Sequence, residues 1–214
     1  MDPKSGFSHA MLQFLADHVQ LVNAFLNAVM VLIWVGYLQI FLISHRQQSR
    51  SVIHIDLGAG KGAEARCLVS NLSAATLYVQ GIVADLARGG QVSRMVVTER
   101  DEIDHTSDNP MAGTDRGPLD PGQTMDIGSL GDLIQRARIR LDEDWTFEQI
   151  DSITLTVVAV SGQAERIVGA AKEFRIEHDG ASSWFSAQSI LTRQLRPVQT
   201  RASFDRILRE QTFH

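Results

Sequence analysis

The chain has 214 residues, with 20 Lys and Arg against 25 Asp and Glu and a net charge of −5. That length suits one domain plus an anchor, and residues 51–214, with 17 basic and 23 acidic side chains, lack the basic footprint of a nucleic-acid-binding surface. The single Cys67 excludes an internal disulfide and fits a reducing compartment.

Taken in order, residues 1–18 form a lead-in with Ser8 as an N-cap and Phe7, Met11, Leu12, Phe14 and Leu15 as apolar residues, which predicts either the start of the following helix outside the bilayer or a segment lying on the outer surface. From Val19 to Ser44 there is no Asp, Glu, Lys, Arg or His in 26 residues. About 20 apolar residues cross a bilayer, so the stretch reads as one transmembrane helix. The run is much longer than the apolar region of a cleaved signal, and HRQQSR follows it in place of a small-residue cleavage site, so it reads as a retained anchor. Lys4 alone precedes the run, whereas Arg46 and Arg50 follow in a basic linker at 45–50. This asymmetry predicts an outer amino terminus, a cytoplasmic domain, and two arginines at the membrane surface.

Anchoring alone does not call for the polarity of this helix. Gln20, Asn23 and Asn27 recur at helical spacing, and the same 3.5-residue rhythm continues through Met30, Trp34, Tyr37 and Phe41. Amides in hydrocarbon are costly unless they find partners across a helix interface, and this period is that of left-handed helix packing. The expectation is a stripe that docks on another transmembrane helix.

Beyond residue 50 the apolar period changes to two. Ile53, Ile55 and Leu57, then GAGKG, then Ala65, Cys67 and Val69 predict a hairpin. Leu77 to Leu86 is a third strand whose parity slips at Gly81, as at a β-bulge, and Val92 to Thr98 is a fourth. The acidic stretch holding Glu99, Asp101, Glu102, Asp104 and Asp108 lacks calcium-loop spacing and reads as a solvated loop. A short strand in LDPGQTMDIG precedes Ser129, which with Asp132 forms a capping box for a helix with Leu130, Leu133, Ile134, Ala137 and Leu141 on its apolar face. Arg136, Arg138 and Arg140 are expected in water. Ile153 to Val160 and Val168 to Ile176 predict a long hairpin, to which WFSAQSIL could add an edge strand beyond the seven, and Pro197 to Gln211 predicts a helix with Val198, Phe204, Ile207 and Leu208 at near-helical spacing.

Seven strands with short turns resemble, in pattern alone, the immunoglobulin-like class. The expected fold is therefore a transmembrane helix at 19–44, an antiparallel two-sheet β-sandwich over 51–190 with one inserted helix, and a basic C-terminal helix or tail over 191–214. That tail holds five Arg against Asp205 and Glu210, which would favour anionic headgroups or an acidic protein surface.

The stretch VIHIDLGAGKGAEARCL resembles the first motif of class I methyltransferases that use S-adenosylmethionine. Asp56, Gly58, Gly60 and Gly62 match its acid and glycines, and Asp85 stands where the family keeps a ribose-binding acid. The resemblance implies cofactor binding at this loop. The residues themselves argue otherwise: AEARCLVSNLS is too short and too alternating for a crossover helix, and few helices separate the remaining strands. No paired Cys, HxxxH or GxSxG motif is present, so neither a metal nor a serine nucleophile is indicated. The expected function is a non-enzymatic accessory or scaffold subunit of a larger inner-membrane complex of a bacterium, without a cofactor. A membrane-tethered methyltransferase is the alternative.

Overall fold

In a computed structural model the described residues are 19–48, 51–100, 113–141, 149–162, 166–179 and 182–212. They fall into two compact units, residues 1–48 and 49–214. The lead-in 1–18, Arg50 and the acidic residues Asp101, Glu102, Asp104 and Asp108 lie outside the described residues.

The first unit contains α1, Val19–Gln48. Its stretch Val19–Ser44 has 26 residues, a mean hydropathy of 2.1, and no buried share in its most apolar part. At 1.5 Å per residue it is about 39 Å long, enough to cross a hydrocarbon layer of roughly 30 Å.

The second unit is mainly β and antiparallel. A three-stranded sheet has the order β1-β2-β6, from β1 (Ile53–Leu57), β2 (Arg66–Asn71) and β6 (Thr124–Ser129). A seven-stranded sheet comprises β3 (Leu77–Arg88), β4 (Gln91–Val96), β5 (Gly117–Leu119), β7 (Ser152–Ser161), β8 (Arg166–Asp179), β9 (Ser182–Ala187) and β10 (Arg193–Gln194). Its path is β10-β8-β7-β3-β4, with β5 on β3 and β9 on β8. Helices α2 (Leu130–Leu141) and α3 (Pro197–Thr212) complete it.

Alternation explains the layers. Ile53 and Ile55 of β1, Cys67 and Val69 of β2, and Ile153, Leu155, Val157 and Ala159 of β7 meet in one core between the sheets, joined by Leu130, Leu133, Ile134 and Ala137 of α2. On the other face of the larger sheet, Val83, Val96 and Val158 pack with Ile207 of α3 and with half-buried Ile167 and Phe204. The register of β3 on β7 shifts between Val79 and Gly81, so Leu77, Val79, Ile82, Ala84 and Leu86 all reach the main core. At Gly81 a Cβ would lie 2.8 Å from Ile207 Cδ1; the missing side chain lets α3 approach.

The expected hairpins, bulge, inserted helix and C-terminal helix are present. Ser129 caps α2 as its spacing predicts: its Oγ accepts the Asp132 N–H at 3.1 Å, and Asp132 Oδ2 accepts the Ser129 N–H at 3.0 Å. Three expectations are corrected. Arg136 is buried rather than in water, because an acid waits for it inside. Val198 faces solvent at 82% exposure, because Thr200 and Ser203 occupy the buried side of α3 in its place. Among the described residues there are ten strands rather than seven, the additional ones including β5 and β10 with three and two residues.

Candidate functional site

Gln20, Asn23, Asn27, Met30, Trp34, Tyr37 and Phe41 all lie on α1 and are exposed. A 3.5-residue rhythm drifts about 20° per seven residues on a straight helix, so Gln20, Asn27, Trp34 and Phe41 share a face roughly 60° wide. Helical geometry thus gathers three amides at one end of a face and four large side chains, three of them aromatic, along the rest. Arg46 falls in the last turn of α1.

The glycine motif folds as a turn. Asp56 lies in β1, a 3₁₀ turn spans Gly62–Glu64, and β2 returns antiparallel to β1 with Asp56 opposite Leu68. Gly60 has φ +125, and a Cβ there would sit 2.2 Å from the Glu64 carbonyl oxygen; Gly62 has φ +57 and would meet the Ser183 carbonyl oxygen at 2.8 Å. Both glycines are required by contacts the turn makes with its own chain. Asp85, on the other sheet, pairs with Arg94 rather than approaching Asp56. The turn forms one wall of a groove of about 460 Å³ that also holds Lys61, Trp184 and Phe185. Its lining offers one ammonium, one hydroxyl and an indole, and no carboxylate, imidazole or thiol. It therefore lacks a general acid–base pair of side chains.

Two ionic clusters were not anticipated. Lys172, on the inward row of β8, has a side chain only 1% exposed, and its Nζ donates to Asp56 Oδ1 at 3.0 Å. His54 Nε2 stands 3.7 Å from the other Asp56 oxygen. Burial by itself would raise the Asp56 carboxyl, but the Lys172 and Leu57 hydrogen bonds and the charges of Lys172 and His54 outweigh it and hold the pKa below the ordinary 3.8. The signal in the sequence was a lysine in a row of inward apolar residues. The second cluster joins Arg136 and Arg100 through Asp115. No local pattern marks it, since Asp115 stands in a polar loop.

Along the outer edge of β1, side chains stand where another strand would pair. Gln194 Oε1 accepts the Ile53 N–H at 3.2 Å while its Nε2 donates to the Ile53 carbonyl at 2.7 Å, and Thr192 Oγ1 accepts the Ile55 N–H at 2.8 Å. An open strand edge invites pairing with another chain, and these groups satisfy it.

Cys67 is buried, and burial pushes its thiol far above the neutral range, the opposite of what an attacking thiolate needs. Among the described residues no three His, Cys, Asp or Glu side chains gather as metal ligands would. Comparison with protein-family models, curated proteins and solved structures returns no match.

Proposed function

We propose that the chain is a non-enzymatic, membrane-anchored accessory or scaffold subunit of a larger complex in a bacterial inner membrane. The observation that carries this reading is the stripe from Gln20 to Phe41 on a helix otherwise composed as a membrane span. Asn27 in hydrocarbon gains from a hydrogen-bonding partner on a neighbouring helix, and Trp34 lies too deep in the span for an interfacial belt. The β domain, two antiparallel sheets used in the manner of immunoglobulin-like sandwiches, serves as the protein-facing platform on the cytoplasmic side. That orientation follows from Arg46 and Arg50 after the span against Lys4 before it. The methyltransferase alternative draws no support from the glycine turn, whose glycines are accounted for by its own packing.

Purification in a mild detergent followed by mass spectrometry tests the reading. A membrane protein at fixed stoichiometry, lost from N27L/W34L while the variant remains in the membrane, is the expected result. A chain that purifies alone, or a partner retained by the variant, overturns it.

A further inference from the structure

The segment from Ile190 to Arg201 combines two features that are uncommon together on a soluble surface. Ile190, Val198 and Leu191 are the most exposed large apolar side chains among the described residues of the β domain, at 90%, 82% and 77%. Interleaved with them, Arg193, Arg196 and Arg201 are exposed. From residue 180 to residue 204 the chain has no Asp or Glu, a local reversal in an acidic protein.

The backbone beneath is fixed. Arg193 pairs with Ala171 in the sheet, the Leu195 N–H donates to the Gly169 carbonyl at 2.8 Å, and Ser189 Oγ donates to the Leu191 carbonyl at 2.6 Å. Thr200 is buried against Gly169. The aliphatic and basic side chains are thus presented outward by a pinned scaffold.

We infer that this face docks on a bilayer, with Arg193, Arg196 and Arg201 engaging anionic lipid headgroups and Ile190, Leu191 and Val198 entering the interfacial layer. Exposed apolar residues interleaved with arginine are the composition of interfacial elements, and basic side chains near an anionic leaflet each contribute to attachment. Connectivity favours lipid over an acidic protein. Gln194, beside Arg193, holds Ile53, and Ile53 follows the end of the apolar run at Ser44 by nine residues, which reach at most about 30 Å. The inference rests on α1 spanning a membrane; it deepens the proposed function by giving the β domain its own hold on the lipid surface.

The test uses the full chain in nanodiscs of phosphatidylcholine, with and without phosphatidylglycerol as the minority lipid. An environment-sensitive fluorophore is placed on V198C, or on L191C as a second position, while buried Cys67 escapes labelling. The expected result is a blue-shifted, quencher-protected label in the anionic discs only, reversed by salt. R193Q/R196Q/R201Q should weaken docking about 100-fold, roughly fivefold per arginine. Equal accessibility in both lipids, or protection that survives in the triple variant, overturns the inference. So does a label exposed in both discs but shielded in the natively purified complex, which would assign the face to an acidic protein. Because the discs contain no partner, loss of the α1 partner leaves this readout unchanged, whereas failure of α1 to span appears as protein that does not enter the discs.

Discussion

Arg136 Nη1 lies 2.8 Å from Asp115 Oδ2, and the two side chains are 2% and 1% exposed. The other Asp115 oxygen accepts from Arg100 Nε at 2.7 Å, and Arg136 Nη1 also donates to the Val97 carbonyl at 3.1 Å. Asp115 therefore bolts α2 to the chain beyond β4. Removing the shared acid leaves a buried guanidinium without its carboxylate, so Asp115→Ala should cost about 3–5 kcal/mol. Arg136→Met should cost less, because Arg100 still pairs with Asp115. Denaturant unfolding of the full chain in detergent measures both. A loss in Asp115→Ala no larger than the ~0–1 kcal/mol of a surface pair would sink this account.

Acid sensitivity follows from Asp56 and Asp126. At Asp126 burial again works upward, and the Arg66 and Gly128 hydrogen bonds with the charges of Arg66 and Arg100 outweigh it, lowering the pKa. A carboxyl whose pKa is lower folded than unfolded stabilises above the unfolded value of 3.8, and that stability is lost as pH falls through the folded value. Asp115 has the opposite sign: burial raises its pKa despite Arg100 and Arg136, so its contribution declines as pH rises. The melting temperature should fall below about pH 4. Asp56→Asn/Asp126→Asn should melt lower at neutral pH with a shallower acid slope; curves parallel to those of the unaltered chain would contradict this.

How far the sequence disclosed these features depends on the reach of each interaction. Local ones were legible: the Ser129–Asp132 cap lies within one helical turn, and the bulge at Gly81 declared itself by a slip in apolar parity along a single strand. The inward row of β8 was legible too, including Lys172. Its use was not, because Asp56 lies 116 residues away. Arg136 stands three residues from Leu133 and one from Ala137, so helical spacing put it at the edge of the apolar face. A guanidinium there belongs in water unless an acid meets it, and Asp115 on a distant loop gave no sign of doing so. β5 and β10 are too short to show any period. The stripe on α1 was legible as spacing alone, since a partner leaves no trace in this chain.

The tight packing of the glycine turn means that Gly60→Ala should damage folding. The new Cβ would meet the Glu64 carbonyl oxygen at 2.2 Å in a backbone of φ +125, and strain of this kind costs about 1–3 kcal/mol. The groove carrying Lys61 and Trp184 would be disturbed only as a result. Thermal unfolding should register the loss, and calorimetric titration of the unaltered chain with S-adenosylmethionine should give no heat of binding. Unchanged stability in Gly60→Ala together with micromolar cofactor binding would restore the methyltransferase reading.

Gln194 offers the last test, because one side chain does the work of a strand. Its two hydrogen bonds to Ile53, at 3.2 and 2.7 Å, are each worth roughly 0.5–1.5 kcal/mol, so Gln194→Ala should cost about 1–3 kcal/mol. The Ile53 amide should exchange with deuterium faster, while Ile55, held by Thr192, changes less. Gln194→Glu keeps an acceptor for the Ile53 N–H but sets a carboxylate against the Ile53 carbonyl, so it should fall no nearer to the unaltered protein than the alanine variant. An open β1 edge also favours strand pairing between copies, visible as concentration-dependent association in detergent. Unaltered exchange at Ile53 in Gln194→Ala would mean that the edge is protected by something other than this side chain.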